Sequence, residues 1–202
     1  MSFDRLLPAG LLVAGLAVMG GYAISQGSGA AVAAEDGPGP NLVIEVDGQA
    51  KGTIVIDLLP EVAPKHVAQV TALAEQGAYD GVVFHRVIDG FMAQTGDVQY
   101  GKAGGDLSMA GMGGSGLPDI PAEFSSVPFD RGVVGMARSQ DPNSANSQFF
   151  IMFAPAPHLD GQYTAFGRVI SGMDVVDAIK KGEGGSGSVT DPDVMVKVTV
   201  QP

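Results

Sequence analysis

Short apolar runs separated by glycine-containing turns fill residues 41–200, and they limit the chain to folds built from many brief strands. Asn41–Val46 and Thr53–Leu58 are β-branched runs on either side of Asp47-Gly48, a dipeptide suited to a hairpin. Val82–Val87 and Phe91–Gln94 flank Asp89-Gly90 in the same way. Gly132–Ala137 and Gln148–Phe153 bracket a polar, Asn-containing turn. Tyr163–Ile170 follows Asp160-Gly161, and Val194–Val200 alternates as a last strand. Two stretches change to a helical period. In Pro60–Gly77, Val67, Val70, Leu73 and Ala74 fall on one helical face, with Pro64 suited to a first turn and Gly77 to a stop. Met173–Lys181 reads as a short amphipathic helix, while Val98–Pro121 and Gly182–Asp193 read as loops. Many strands and two helices predict a mainly β chain: a closed antiparallel barrel with helices covering its ends.

The first residues are of a different kind. Leu6–Ile24 is almost wholly apolar, follows Arg5, and leads to a small-residue run containing Ala31-Val32-Ala33. That is the layout of a secretory signal peptide with its cleavage site. The run is also long enough to cross a bilayer, so a retained N-terminal membrane anchor is the alternative. A buried core helix fits poorly, because Pro8, Gly10, Gly15, Gly20 and Gly21 weaken helical propensity. Ser25–Pro40 has the composition of a flexible linker. The chain thus divides into residues 1–34, signal peptide or anchor with its linker, and residues 35–202, one domain. Both readings export that domain to the periplasm or the extracytoplasmic face of the membrane.

The net charge of −11 argues against nucleic acid as a partner, since its binders need a basic face. The chain has no cysteine, which removes disulfides, thiolate metal sites and thiol catalysis. Gly111–Gly116 formally fits the dinucleotide pattern G-x-G-x-x-G, but Pro118 and Pro121 follow where a helix should begin, so it reads as a loop. His66, His85 and His158 lie on three segments without helical pairing, and read as structural or surface residues rather than metal ligands. No G-x-S-x-G elbow supports hydrolysis.

One stretch remains: F-H-R-V-I-D-G-F-M-A-Q-T-G-D, Phe84–Asp97. As a strand it would put Phe84 and Arg86 on one face and His85 and Val87 on the other. After the turn, Met92 and Gln94 would share a face, with Phe91 opposite. Gly135–Arg138 and Ser147–Met152 supply further apolar and amide groups. An arginine among such neighbours needs a partner, because an unpaired buried charge is costly. Spacing alone leaves open whether Arg86 is functional, exposed, or paired with a structural carboxylate.

The stretch resembles the signature of the cyclophilins, the cyclosporin-binding class of peptidyl-prolyl cis-trans isomerases. The resemblance continues through G-V-V-G-M-A-R-S-Q-D-P-N-S-A-N-S-Q-F-F-I (Gly132–Ile151) and H-L-D-G-Q-Y-T-A-F-G-R-V-I-S-G-M-D-V-V-D (His158–Asp177). It implies a closed eight-stranded antiparallel barrel capped by two α-helices. It also implies that Arg86 is the catalytic cation and that Gln94 braces it. Phe91, Met92, Phe150 and Leu159 would wall the proline pocket, with Ala137 and Arg138 offering backbone to the peptide. His158 stands where the family commonly has Trp, and Tyr163 where it commonly has His. The first departure argues for weak cyclosporin binding, the second for an altered rate or substrate preference. Both residues belong to the expected substrate site.

The implied reaction is rotation about X–Pro bonds in proline-containing polypeptides, assisting the folding of exported proteins. It needs no metal and no cofactor, and the chain is expected to act as a monomer. The alternative is a non-catalytic proline-peptide-binding module or chaperone on the same fold. A structural cell-envelope protein is a third reading, carried by the N-terminal run alone.

Overall fold

A computed structural model describes residues 35–202. The N-terminal apolar run and most of the linker lie outside the described residues. Among those described, no helix is long and apolar enough to cross a membrane.

Nine strands form one antiparallel sheet. β1 (Asn41–Asp47) and β2 (Gly52–Leu58) are a hairpin, as the Asp47-Gly48 turn predicts, and Val46 pairs with Gly52 at its closed end. Helix α1 (Pro64–Glu75) follows and buries Val67, Val70, Leu73 and Ala74, the face expected from their spacing. Its N-terminal residue Ala63 gives no side-chain cap. The Glu123 carboxylate does so from a distant loop, accepting the backbone N–H groups of Lys65 and His66 at 3.1 Å each. Next come β3 (Val82–Val83), β4 (Arg86–Ile88) and β5 (Met92–Thr95), then β6 (Val133–Met136) and β7 (Phe149–Met152). β8 (Ala165–Ser171), helix α2 (Met173–Ala178) and β9 (Val194–Gln201) complete the chain. The sheet order is β3-β9-β1-β2-β8-β6-β7-β5-β4.

Two differences from the sequence reading have one cause. The expected single strand Val82–Val87 is two strands, which gives nine where eight are expected. Phe84 and His85 leave the ladder between them: Phe84 N–H bonds the Asp193 carbonyl at 2.9 Å, and both side chains are buried. The break turns the chain. Phe84 and Val87 therefore both enter the main core, while Arg86 emerges into a cleft. Period-two alternation, which puts Phe84 with Arg86, fails for that reason.

β3 and β4 are the sheet's two edges. The outer side of β4 is covered by residues 182–188, where Val87 N–H bonds the Gly187 carbonyl and Gly182 N–H bonds the Val87 carbonyl. That removes a free edge. The main core holds the inward residues of β1, β2, β8 and β9 with α1 and Phe149 and Phe166. A second, smaller cluster of Met92, Phe129, Val133, Phe150, Met152, Ala156, Leu159 and Ala165 backs the cleft.

Candidate active site

The site begins as a row across four strands. Arg86 on β4 pairs with Gln94 on β5, Gln94 with Phe150 on β7, and Phe150 with Gly135 on β6. Directly paired residues project to the same face, so the register alone sets the arginine beside the amide and the amide beside the ring. Gly135 makes room for that ring. A Cβ there would lie 2.6 Å from both Phe150 Cζ and Phe129 Cε1.

Arg86 Nη1 donates to Gln94 Oε1 at 3.1 Å, and Arg86 Nε donates to the Ser186 carbonyl at 3.1 Å. Gln94 Nε2 donates to Gln148 Oε1 at 2.9 Å, and Gln148 Nε2 donates to the Gly111 and Gly113 carbonyls at 3.0 and 2.7 Å. The loop bearing those carbonyls is anchored in turn. Asp97, fully buried, accepts N–H bonds from Gly111 and Gly113 on one oxygen and from Gln99 and Tyr100 on the other. Gln94, with both ends of its amide engaged, has one orientation open to it, and Arg86 is gripped on two edges. The glycine-rich segment that mimics a dinucleotide motif thus serves as a scaffold for this amide chain.

All ten residues expected at the site line one cleft of about 480 Å³. Met92, Phe150 and Leu159 are buried in its wall, while Arg86, Phe91, Gln94, Ala137, Arg138 and Tyr163 are half-buried and His158 is exposed. Phe91 joins Met92 and Gln94 there instead of facing away, because it lies in the Asp89–Phe91 turn before β5 begins. Gly90 makes that turn with φ +69°. His158 stacks on Phe91 with centroids 5.7 Å apart, and Tyr163 meets Phe150 edge-on at 5.8 Å. The Ala137 N–H is taken by the Gln148 carbonyl at 2.9 Å, so it is not free to donate into the cleft.

Sequence reasoning missed Gln162, which also lines the cleft, together with Gln148, Asp97 and the Ser186 carbonyl. Gln148 was within reach: it stands two residues before Phe150 and so shares its face. Ser186 was not, since nothing local marks a carbonyl supplied from a hundred residues away. His85, next to Arg86, is buried against Gly111, and both ring nitrogens lack a hydrogen-bond partner. Burial holds its imidazole below the usual range, so it adds no charge beside the arginine near neutral pH. Among the described residues no cluster of His, Asp or Glu is arranged to hold a metal ion.

The cleft sets an amide and two guanidinium groups, Arg86 and Arg138, beside an apolar wall, which suits a ligand that joins an apolar ring to hydrogen-bonding groups. Comparison with known proteins gives that ligand its class. Residues 42–200 match the family model for cyclophilin-type peptidyl-prolyl cis-trans isomerases. The chain belongs to the cyclophilin family. It is 60% identical over 153 residues to a probable peptidyl-prolyl cis-trans isomerase of Brucella suis, covering 74% of this chain and 78% of that one. A crystal structure of a cyclophilin from Hirschia baltica superposes with a TM-score of 0.67 at 28% identity, covering 81% of this chain and 74% of that one. A cyclophilin of Cryptosporidium parvum, crystallised in the presence of the dipeptide Ala-Pro, gives 0.68 at 26% identity over 80% and 99% of the two chains. Cyclophilins are isomerases of X–Pro peptide bonds, and the chain is a peptidyl-prolyl cis-trans isomerase of that family.

Proposed function

We propose that the protein is an exported folding assistant, in which Arg86 is the catalytic cation and Gln94 its brace. Arg86 clamped between an amide and a carbonyl, beside an apolar pocket, carries the proposal. Rotation about X–Pro loses amide resonance, with a barrier of about 18–20 kcal/mol. In the twisted state the imide nitrogen becomes pyramidal and regains a lone pair. A donor aimed at that nitrogen binds the twisted state better than either planar isomer, which is what acceleration requires. Arg86 Nε and Nη1 are engaged by the protein, while Nη2 has no protein hydrogen bond among the described residues. Nη2 is the donor left for substrate. Phe91, Met92, Phe150 and Leu159 hold the proline ring, and Tyr163 and His158 border it. The two departures from the common pattern leave the Arg86 unit intact, which favours an enzyme over a non-catalytic binding module.

The closed barrel is part of the proposal. β3 and β4 end the ladder on opposite sides, yet only Phe84 and His85 separate them in the chain, and Thr95 Oγ1 of β5 donates to the Val83 carbonyl of β3 at 2.9 Å. These links draw the edges together. Export rests on residues 6–24, and the acidic domain acts as a monomer on polypeptides, not on nucleic acid. Cell fractionation with N-terminal sequencing tests export: a mature chain starting near residue 34, or a membrane-bound full-length chain, is expected, and intact chain in the cytosol defeats it. For the chemistry, the cis-to-trans rate of an X–Pro peptide is measured with the protein and with Arg86→Ala. Acceleration by the first and its loss by orders of magnitude in a folded second are expected. An unchanged rate removes Arg86 from the mechanism.

A further inference from the structure

Arg138 stands where two concave surfaces meet. It lines the cleft of Arg86 and Phe150, and also a neighbouring groove of about 320 Å³ formed with Gly111, Met112, Ser144 and Asn146. Its guanidinium carbon lies 4.4 Å from the centroid of the Tyr163 ring. Nη2 donates to the Gln162 carbonyl at 2.9 Å, and Nη1 to the Ser139 carbonyl at 2.9 Å. These contacts hold the cation in place, but none neutralises it. Among the described residues Arg138 forms no ion pair, and neither does Arg86; Lys65, Lys102, Arg168, Lys180 and Lys181 share that state, while Lys51, Arg131 and Lys197 each pair with a carboxylate. No Asp or Glu lines either surface, although the chain carries a net charge of −11. An acidic protein has kept two uncompensated guanidinium groups together at its binding cleft. Such a local field draws anionic groups and orients them.

We infer that Arg138 is a specificity-determining residue, which favours polypeptide segments carrying a carboxylate side chain within two residues of the proline. The inference rests on the cleft being the proline site. An extended chain running from the cleft into the groove passes the Arg138 guanidinium. Tyr163 strips water from one face of that cation and the carbonyl bonds hold it in place, so an arriving carboxylate meets a fixed positive charge. A neutral amide of the same shape, as in glutamine, gains no such ion pair.

The test is a scan of proline peptides with Glu or Gln at each of the two positions on either side of proline. For each pair, the isomerisation efficiency and the dissociation constant are measured with the wild-type protein, Arg138→Gln and Arg138→Lys. At one or more positions the wild type should favour Glu over Gln by about fivefold, the range of a partly exposed ion pair. That ratio should fall as salt rises, drop to about one in Arg138→Gln, and survive in part in Arg138→Lys. Ratios near one at every position in the wild type overturn the inference, as does a preference that persists in Arg138→Gln. Peptides that bind without accelerated rotation would count against the role of Arg86 instead, and the binding ratios would still decide the role of Arg138.

Discussion

Arg86 and Gln94 face each other as a registered pair on β4 and β5, and Arg86 Nη1 donates to Gln94 Oε1 at 3.1 Å. The amide is fixed from behind by Gln148 at 2.9 Å, so the cation is aimed by the sheet and by a second amide together. Gln94→Leu keeps the apolar volume but removes the grip on Nη1. Turnover should fall by roughly ten- to a hundredfold, the scale of misaiming a positioned group. Near-ultraviolet circular dichroism should stay unchanged. A variant of full activity would mean that the Ser186 carbonyl alone positions Arg86.

Asp97 supports the same site from further away. Its carboxylate accepts four backbone N–H groups, two from the loop whose carbonyls hold Gln148. Asp97→Asn turns an –NH₂ towards two of those donors. The expected loss is about 2–3 kcal/mol in urea unfolding, as for hydrogen bonds to a buried charged group. Proteolysis should move to residues 98–116, and turnover should fall with it. Equal stability and the wild-type cleavage pattern would show the loop to be held by other contacts.

The cap on α1 makes stability depend on pH. His66 is fully buried, with Nδ1 2.7 Å from Glu123 Oε2. Burial holds the imidazole below its ordinary value of 6.5, against the pull of the carboxylate. Burial raises Glu123, but hydrogen bonds from the His66 side chain and from the backbone of His66 and Lys65 outweigh it, so the carboxyl lies below its usual range. Both groups take up protons less readily folded than unfolded, so stability falls as pH falls. The His66 share is complete above about pH 6.5 and is lost as pH drops through the lowered folded value; the Glu123 share follows below about pH 4.3. Urea midpoints should therefore decline from about pH 7 to pH 5. In His66→Asn, whose amide can donate in place of Nδ1–H, that decline should shrink. A slope identical to the wild type would assign it to other groups, His85 among them.

His158 is exposed and stacks on Phe91 at a 28° tilt, leaving the edge of the cleft without an indole. Weak cyclosporin inhibition is expected on the family resemblance. His158→Trp should strengthen it about tenfold, through added apolar contact and an N–H donor. Potent inhibition of the unaltered protein would show that this position matters little to the drug.

Much of this was legible in the sequence, for local reasons. Turn dipeptides and β-branched runs located most strands, and one helical stripe located α1, because those signals act over a few residues. The ten candidate residues were legible through the resemblance, and the register explains why Arg86, Gln94 and Phe150 meet. What stayed hidden depends on distant partners. Ala63 offers no cap, and Glu123 replaces it from another part of the chain. The buried Asp97 resembles any turn aspartate until its four donors are seen. The kink at Phe84-His85 reads as plain strand, since only tertiary packing makes two residues leave the ladder together.

Gly135 supplies the sharpest steric test. It sits opposite Phe150, on an interior strand with neighbours on both sides, where a residue with no side chain packs least well. Its absent Cβ is what lets the Phe150 and Phe129 rings stack at 5.9 Å. In Gly135→Ala the methyl would meet both rings at 2.6 Å, and Phe150 cannot retreat without moving the pocket wall. The expected cost is about 1–3 kcal/mol of stability, the usual range for overpacking. Phe150 shifts with it, so KM for a proline peptide should rise more than kcat falls, because Arg86 and Gln94 lie further along the row and keep their hydrogen bond. Unaltered KM in a destabilised but folded variant would separate the Phe150 ring from proline binding.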